Sequence, residues 1–134
     1  GDVNQSVSAA SQVKRLPDLE QVIFNVLEAE KSFAKMPQGG KEHFIRKTSG
    51  IITSYYQIAL IKNTDRQSGR AIVEQFNMKL AQKSALMYEA VQRKYKVFWL
   101  FNKLHVSNSF YENQFAKLLE FAKRVGRADR LYRK

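Results

Sequence analysis

Apolar residues recur by threes and fours along most of this 134-residue chain, the spacing of one face of an α-helix. Leu19, Val22/Ile23, Val26/Leu27 and Phe33 mark a first helix that opens at Pro17 and runs to about Met36. Asp18 and Glu20 sit at the end where carboxylates favour the helix dipole. "MPQGGK" then interrupts the pattern, with Pro37 stopping the first helix and Gly39 and Gly40 releasing the backbone. Phe44, Ile45, Ile51/Ile52, Tyr55, Ile58/Ala59 and Ile61 predict a second helix over about 41–62. "IITSYYQIALI" alone would pass for a strand, and its helical surroundings decide otherwise. "NTDRQSG" supplies the next turn, with Asn63 as a C-cap and Gly69 as a release point.

Ile72/Val73, Phe76, Leu80, Met87, Ala90/Val91, Phe98 and Phe101 form one seam over roughly 69–104. Read as a single helix, this third element is about 54 Å long at 1.5 Å per residue, so it must overhang its neighbours or kink. Ser109 followed by Glu112 makes a capping box, with Ser107 a second candidate, and the last helix runs from about 110 to 132 on Tyr111, Phe115, Leu118, Ala122, Val125 and Leu131/Tyr132. Residues 1–15 are small and polar and read as a flexible arm or frayed helix, leaving one domain over 16–134. The expected fold is all-α: an antiparallel up-down-up-down four-helix bundle with a long third helix.

Charge changes the picture more than composition does. The chain carries 23 Lys and Arg against 12 Asp and Glu, a formal net charge of +11. Residues 1–67 contribute +2 of it and residues 68–134 contribute +9. A field of that sign concentrates polyanions: nucleic acid, an anionic membrane surface or an acidic protein. The absence of cysteine removes disulfides, cysteine-ligated zinc and thiol catalysis, and fits a cytoplasmic protein. No apolar run approaches the roughly 20 residues of a membrane span.

Motifs for chemistry are missing. His43 and His105 lie in different helix-end regions without a His or Glu partner at metal-ligand spacing, so no metal and no cofactor is expected. "EAE" at 28–30 points Glu28 and Glu30 to different faces, and "QGGK" at 38–41 is a Gly-rich turn, not a phosphate loop. A non-catalytic binding protein is the expectation.

The binding residues are then sought in the basic C-terminal half. Arg93, Lys94, Lys96 and Lys103 lie late on the third helix; Lys123, Arg124, Arg127, Arg130 and Arg133 lie late on the fourth, in "EFAKRVGRADRLYRK". Antiparallel packing of those helices puts the two clusters at opposite ends and brings the second near Arg70, Lys79 and Lys83. Tyr95, Trp99 and Tyr132 interleave with these charges and either stack on unpaired bases or serve core or subunit packing. Val97, Trp99, Leu100 and Leu104 lie off the main seam, and this surplus apolar face predicts a homo-oligomer.

The order "FAKMPQGGKEHFIRK", "NMKLAQKSALMYEAV", "FWLFNKLHVSNSFYENQFAKLLEFAKRVGR" and a basic end resembles the accessory variability determinant proteins of diversity-generating retroelements. It is also similar to their sister family encoded within ribosomal-RNA intervening sequences. The positions that carry the resemblance are Pro37, Ser107, Tyr111, Glu112, Gly126 and Arg127, over about residues 16–134. "ADRLY" stands where a Gly-Gly-Trp step is often found, and the N-terminal arm has no counterpart. The resemblance implies a basic, barrel-like homopentamer that binds a reverse transcriptase and structured RNA, or an RNA–DNA hybrid, and supports mutagenic reverse transcription. Residue composition alone leaves a competing class open, an oligomeric scaffold or adaptor binding an acidic protein or an anionic membrane surface.

Overall fold

The computed structural model describes residues 9–29, 37–114, 117, 120, 121 and 124. These residues form six helices packed together, with no strand among them. They are α1 (9–14), α2 (Leu16–Glu28), α3 (Gln38–Gln57), α4 (Arg66–Lys83), α5 (Ala85–Lys103) and α6, which begins at 108. The expectation of an all-helical chain holds, and several of its boundaries move.

Within the stretch expected as a flexible arm or frayed helix, residues 9–14 are helical and Val13 packs against the core, and residues 1–8 lie outside the described residues. Lys62 Nζ donates to Gln12 Oε1 at 3.0 Å and ties α1 to the turn that follows α3. In α2 the buried stripe is Leu16, Ile23 and Leu27, whereas Val22 is exposed. The rest of the expected first helix, 30–36, lies outside the described residues. Pro37 precedes α3 as its N-cap, and Gly39 and Gly40 are already helical. Residues 58–61 are all buried, which a regular α-turn facing one side would not allow. Ile58–Lys62 satisfies that run by widening into a π-turn, after which Asn63 closes the helix by donating its N–H to Ile58 O at 2.9 Å.

The largest correction concerns the long third helix. Ser84 leaves the helical region at φ −154°, ψ 98°, and its hydroxyl accepts from Met87 N at 3.1 Å, capping α5. The chain folds back there. Asn102 Nδ2, at the end of α5, donates to the carbonyl of Arg66, at the start of α4, at 3.3 Å; in one straight helix those residues would stand about 54 Å apart. The seam survives the reversal because Leu80 and Met87 are seven residues apart and stay in phase across Ser84.

Phe76 on α4 is the aromatic centre of the core. Its ring stacks on Tyr55 at 4.3 Å, meets Tyr56 edge-on at 5.9 Å and contacts Phe24 of α2 at 5.7 Å between centroids. Gly69, expected as a release point, lies inside α4, buried against the π-turn, where a Cβ would collide with the Ala59 carbonyl oxygen. Ser107, not Ser109, caps α6, accepting from Phe110 N at 3.1 Å. Tyr111 then lays its ring near Phe98 and Phe101, with centroids 5.2 and 6.0 Å away.

Candidate nucleic-acid interface

Helix α5 connects the basic surface to the core. Its inner face buries Met87, Val91, Phe98 and Asn102, and Tyr95 lies half-buried against Tyr56 with ring centroids 5.5 Å apart. Burial, reinforced by Glu74 and Tyr88, raises the Tyr95 phenol above its ordinary value, so it stays neutral and packed. Tyr95 thereby packs its ring against the core, on Tyr56.

Asn102 anchors the far end. It is 0% exposed, and its Nδ2 donates to Leu60 O at 2.8 Å as well as to Arg66 O, while its Oδ1 accepts from Arg70 Nη1 at 2.7 Å. Arg66 reaches the same node, donating from Nη1 to Leu60 O at 3.3 Å and from Nη2 to Val106 O at 2.8 Å. Burial lowers its pKa from the usual arginine value. The node holds the π-turn, the start of α4, the end of α5 and the α5–α6 turn together. Its sequence signal was a polar residue one turn beyond Phe98 on an otherwise apolar seam, "FWLFNKL".

The outer face differs in kind. Arg93, Lys94, Lys96 and Lys103 are all exposed, and among the described residues none has a carboxylate within ion-pair distance. Lys79 and Lys83, expected on the same polyanion surface, face α2 instead. Lys79 Nζ lies 3.5 Å from Glu20 Oε1 and Lys83 Nζ 2.9 Å from Glu28 Oε1. Arg70 is engaged by Asn102. The pairing of a late-helix cluster with Arg70, Lys79 and Lys83 rested on an unbroken third helix, and the reversal at Ser84 removes that basis. Of the last cluster, Arg124 is exposed on α6, and Lys123, Arg127, Arg130 and Arg133 lie outside the described residues.

The surplus apolar face is present. Val97, Leu100 and Leu104 are 45%, 50% and 65% exposed, and with Leu86 they fall on one stripe at alternating steps of three and four through Ala90 and Arg93. Trp99 does not share it. At 100° per residue its side chain lies on another strip, with Lys96 and Lys103.

A polar cleft of about 380 Å³ opens where α1, Lys62 and the start of α6 meet. Its side chains bond one another, as in the Asn108 Nδ2 to Glu112 Oε1 bond of 3.2 Å, and present no reactive pair. No group of three or more His, Cys, Asp or Glu is placed to hold a metal ion among the described residues. Among the same residues no helix is long and apolar enough to cross a membrane.

Comparison with protein-family models, with curated proteins and with solved structures gives no match.

Proposed function

We propose that this chain is a non-catalytic accessory protein that binds RNA, or an RNA–DNA hybrid, through the outer face of α5 and the basic C-terminal end. The observation that carries this reading is the set Arg93, Lys94, Lys96 and Lys103, exposed cations spread over the outer side of α5 without a carboxylate partner among the described residues. Phosphates are the partners such a set takes up, releasing counterions as they bind. A reverse transcriptase as the protein partner, and mutagenic copying as the process supported, follow from the resemblance to retroelement accessory proteins.

Self-association belongs to the same proposal. The stripe of Leu86, Val97, Leu100 and Leu104 has coiled-coil spacing and no cover among the described residues. The subunit count of five comes from the resemblance. For the architecture we propose an up-down-up-down bundle made of α2, α3, α4 and α5, with α6 added to it. Its support is that Glu20–Lys79 and Glu28–Lys83 run α2 and α4 in the same direction, Ser49–Met87 and Tyr56–Tyr95 do so for α3 and α5, and Asn102–Arg66 sets α5 against α4.

The test is a salt series of RNA titrations on two variants. Reversing Arg93→Glu, Lys94→Glu and Lys96→Glu together is expected to weaken binding at least tenfold and to flatten the log–log salt slope by roughly 2, at about 0.7–0.9 per phosphate contact. Lys79→Glu with Lys83→Glu should leave slope and affinity closer to the parent. Equal losses in both variants would mean that only net charge is sensed, and an unchanged α5 variant would remove the reading.

A further inference from the structure

The sequence interleaves three aromatic rings with positive charge, and their positions now differ. Tyr95 is half-buried against Tyr56 and Tyr132 lies outside the described residues, whereas Trp99 is 36% exposed on α5. Lys103 Nζ sits 5.4 Å from the centre of its indole. Gln92, Lys96, Trp99 and Lys103 recur by four, three and four, so they form one strip along the helix, separate from the Val97–Leu100–Leu104 stripe. Lys96 and Lys103 are exposed at either side of the ring. At the strip's other end the Gln92 Nε2 is buried without a hydrogen-bond partner, an unspent donor that calls for an explanation.

We infer that this strip is a subsite for unpaired nucleotides, in which the indole stacks on one base while Lys96 and Lys103 meet the flanking phosphates. The inference rests on the proposed nucleic-acid binding and narrows it to single strands. A base in a duplex has both faces covered by its neighbours, so only an unstacked base offers a face to the indole. Lys96 and Lys103 are about 10 Å apart along the helix, at 1.5 Å per residue, which leaves room for the ring and a base between them. An exposed cation–π contact is weaker than base–indole stacking, so an incoming base displaces the Lys103 ammonium and frees it for a phosphate.

Trp99 is the only tryptophan, so indole emission, excited selectively over that of the six tyrosines, reports this strip alone. The experiment titrates the full chain at low salt with single-stranded oligouridylate and with an RNA duplex of equal length, following tryptophan emission and the anisotropy of labelled RNA together. Quenching by the single strand and not by the duplex is expected. Trp99→Leu should weaken single-strand binding about tenfold, Trp99→Phe should stay within about twofold of the parent, and duplex affinity should not move. Leucine keeps apolar packing and loses the π-face, so a Trp99→Leu chain that binds like the parent overturns the subsite. Single-strand binding without quenching, or equal quenching by the duplex, also overturns it, and each leaves the broader basic-surface reading standing. A parent chain that binds neither RNA removes both.

Discussion

Asn102 and Lys103 are adjacent in sequence and belong to opposite regimes. Around Asn102 the polar groups have defined partners: its amide bonds the Leu60 and Arg66 carbonyls and the Arg70 guanidinium, and Arg66 shares the Leu60 carbonyl and bonds that of Val106. Around Lys103 the charges face water, and its own ammonium rests on an indole for want of a carboxylate. The inner region shows polar groups used to fix geometry, since a buried donor or acceptor left unpaired costs about 1–3 kcal/mol. The outer region shows charges that fix nothing within the chain and remain available to a partner. Lys79 and Lys83 lie between the two, exposed yet paired, and exposed pairs of that kind contribute little to stability. The comparison separates substitutions that unfold the chain from those that only silence its surface.

The sharpest way to break it is at Gly69. A methyl group there meets the Ala59 carbonyl, which is backbone and cannot rotate away, so α4 must move off the π-turn and draw the Asn102 node apart. Gly69→Ala is expected to lose about 3 kcal/mol or more of stability in urea unfolding, the upper range for overpacking. An exposed helical glycine such as Gly50, with open space around its Cβ position, provides the control, and Gly50→Ala should gain up to about 1 kcal/mol. A mild loss at Gly69 would show that the π-turn is not a fixed part of the packing.

The helical periodicity made most of the inner region legible. Val73, Phe76, Leu80, Met87, Val91 and Phe98 were read as one seam and are buried, and Ile52, Tyr55, Ala59 and Ile61 likewise. The reversal at Ser84 was hidden because its two arms share a phase and because a single serine, with no glycine or proline beside it, suffices for the turn. The π-turn was hidden because four successive buried residues look like any apolar run. On the surface, the exposure of Arg93, Lys94 and Lys96 followed from the pattern, whereas the partners of Lys79 and Lys83 required knowing which helix lies beside α4. Local spacing shows which face is buried; it does not show against what.

A second prediction titrates the inner region. Burial raises the phenols of Tyr55 and Tyr56 well above the ordinary value; Glu20 adds to the effect on Tyr55, and Tyr95, Tyr88 and Tyr55 add to it on Tyr56. Burial followed by Glu112 does the same, to a smaller degree, for Tyr111. In the unfolded chain these groups ionise near pH 10. Below that pH both states hold their protons and the contribution is complete. As pH rises above about 10 the unfolded chain releases protons that the native chain keeps, so stability falls, by up to about 1.4 kcal/mol per pH unit for each such tyrosine. Thermal melts from pH 8 upward should stay level, as far as tyrosine is concerned, until about pH 10 and then drop. Tyrosinate absorbance should reach full amplitude only as the helical circular dichroism is lost. Complete ionisation in a chain that remains helical would mean that the aromatic cluster is open to water.

The smallest effect expected lies at the boundary between the regions, at His105. Its φ of 56° is left-handed, and it is the one non-glycine residue with positive φ among those described. The conformation follows from how α5 ends: Val106 N donates to Phe101 O at 2.9 Å and His105 N to Asn102 O at 3.1 Å, the paired bonds of a Schellman closure whose turning residue is usually glycine. A side chain in that region costs roughly 1–2 kcal/mol, while glycine gives back part of the gain through its freer unfolded chain. His105→Gly should therefore stabilise the protein by about 0.5 kcal/mol, and His105→Ala, which keeps a Cβ, should not. Neither touches a cation of the α5 set, so RNA affinity and salt slope should be those of the parent. A stabilised His105→Gly chain with unchanged binding would show that the end of α5 can be tightened without altering its outer face. A change in affinity would mean that the closure at His105 sets the position of Lys103, and that the two regions are mechanically linked through one turn of helix.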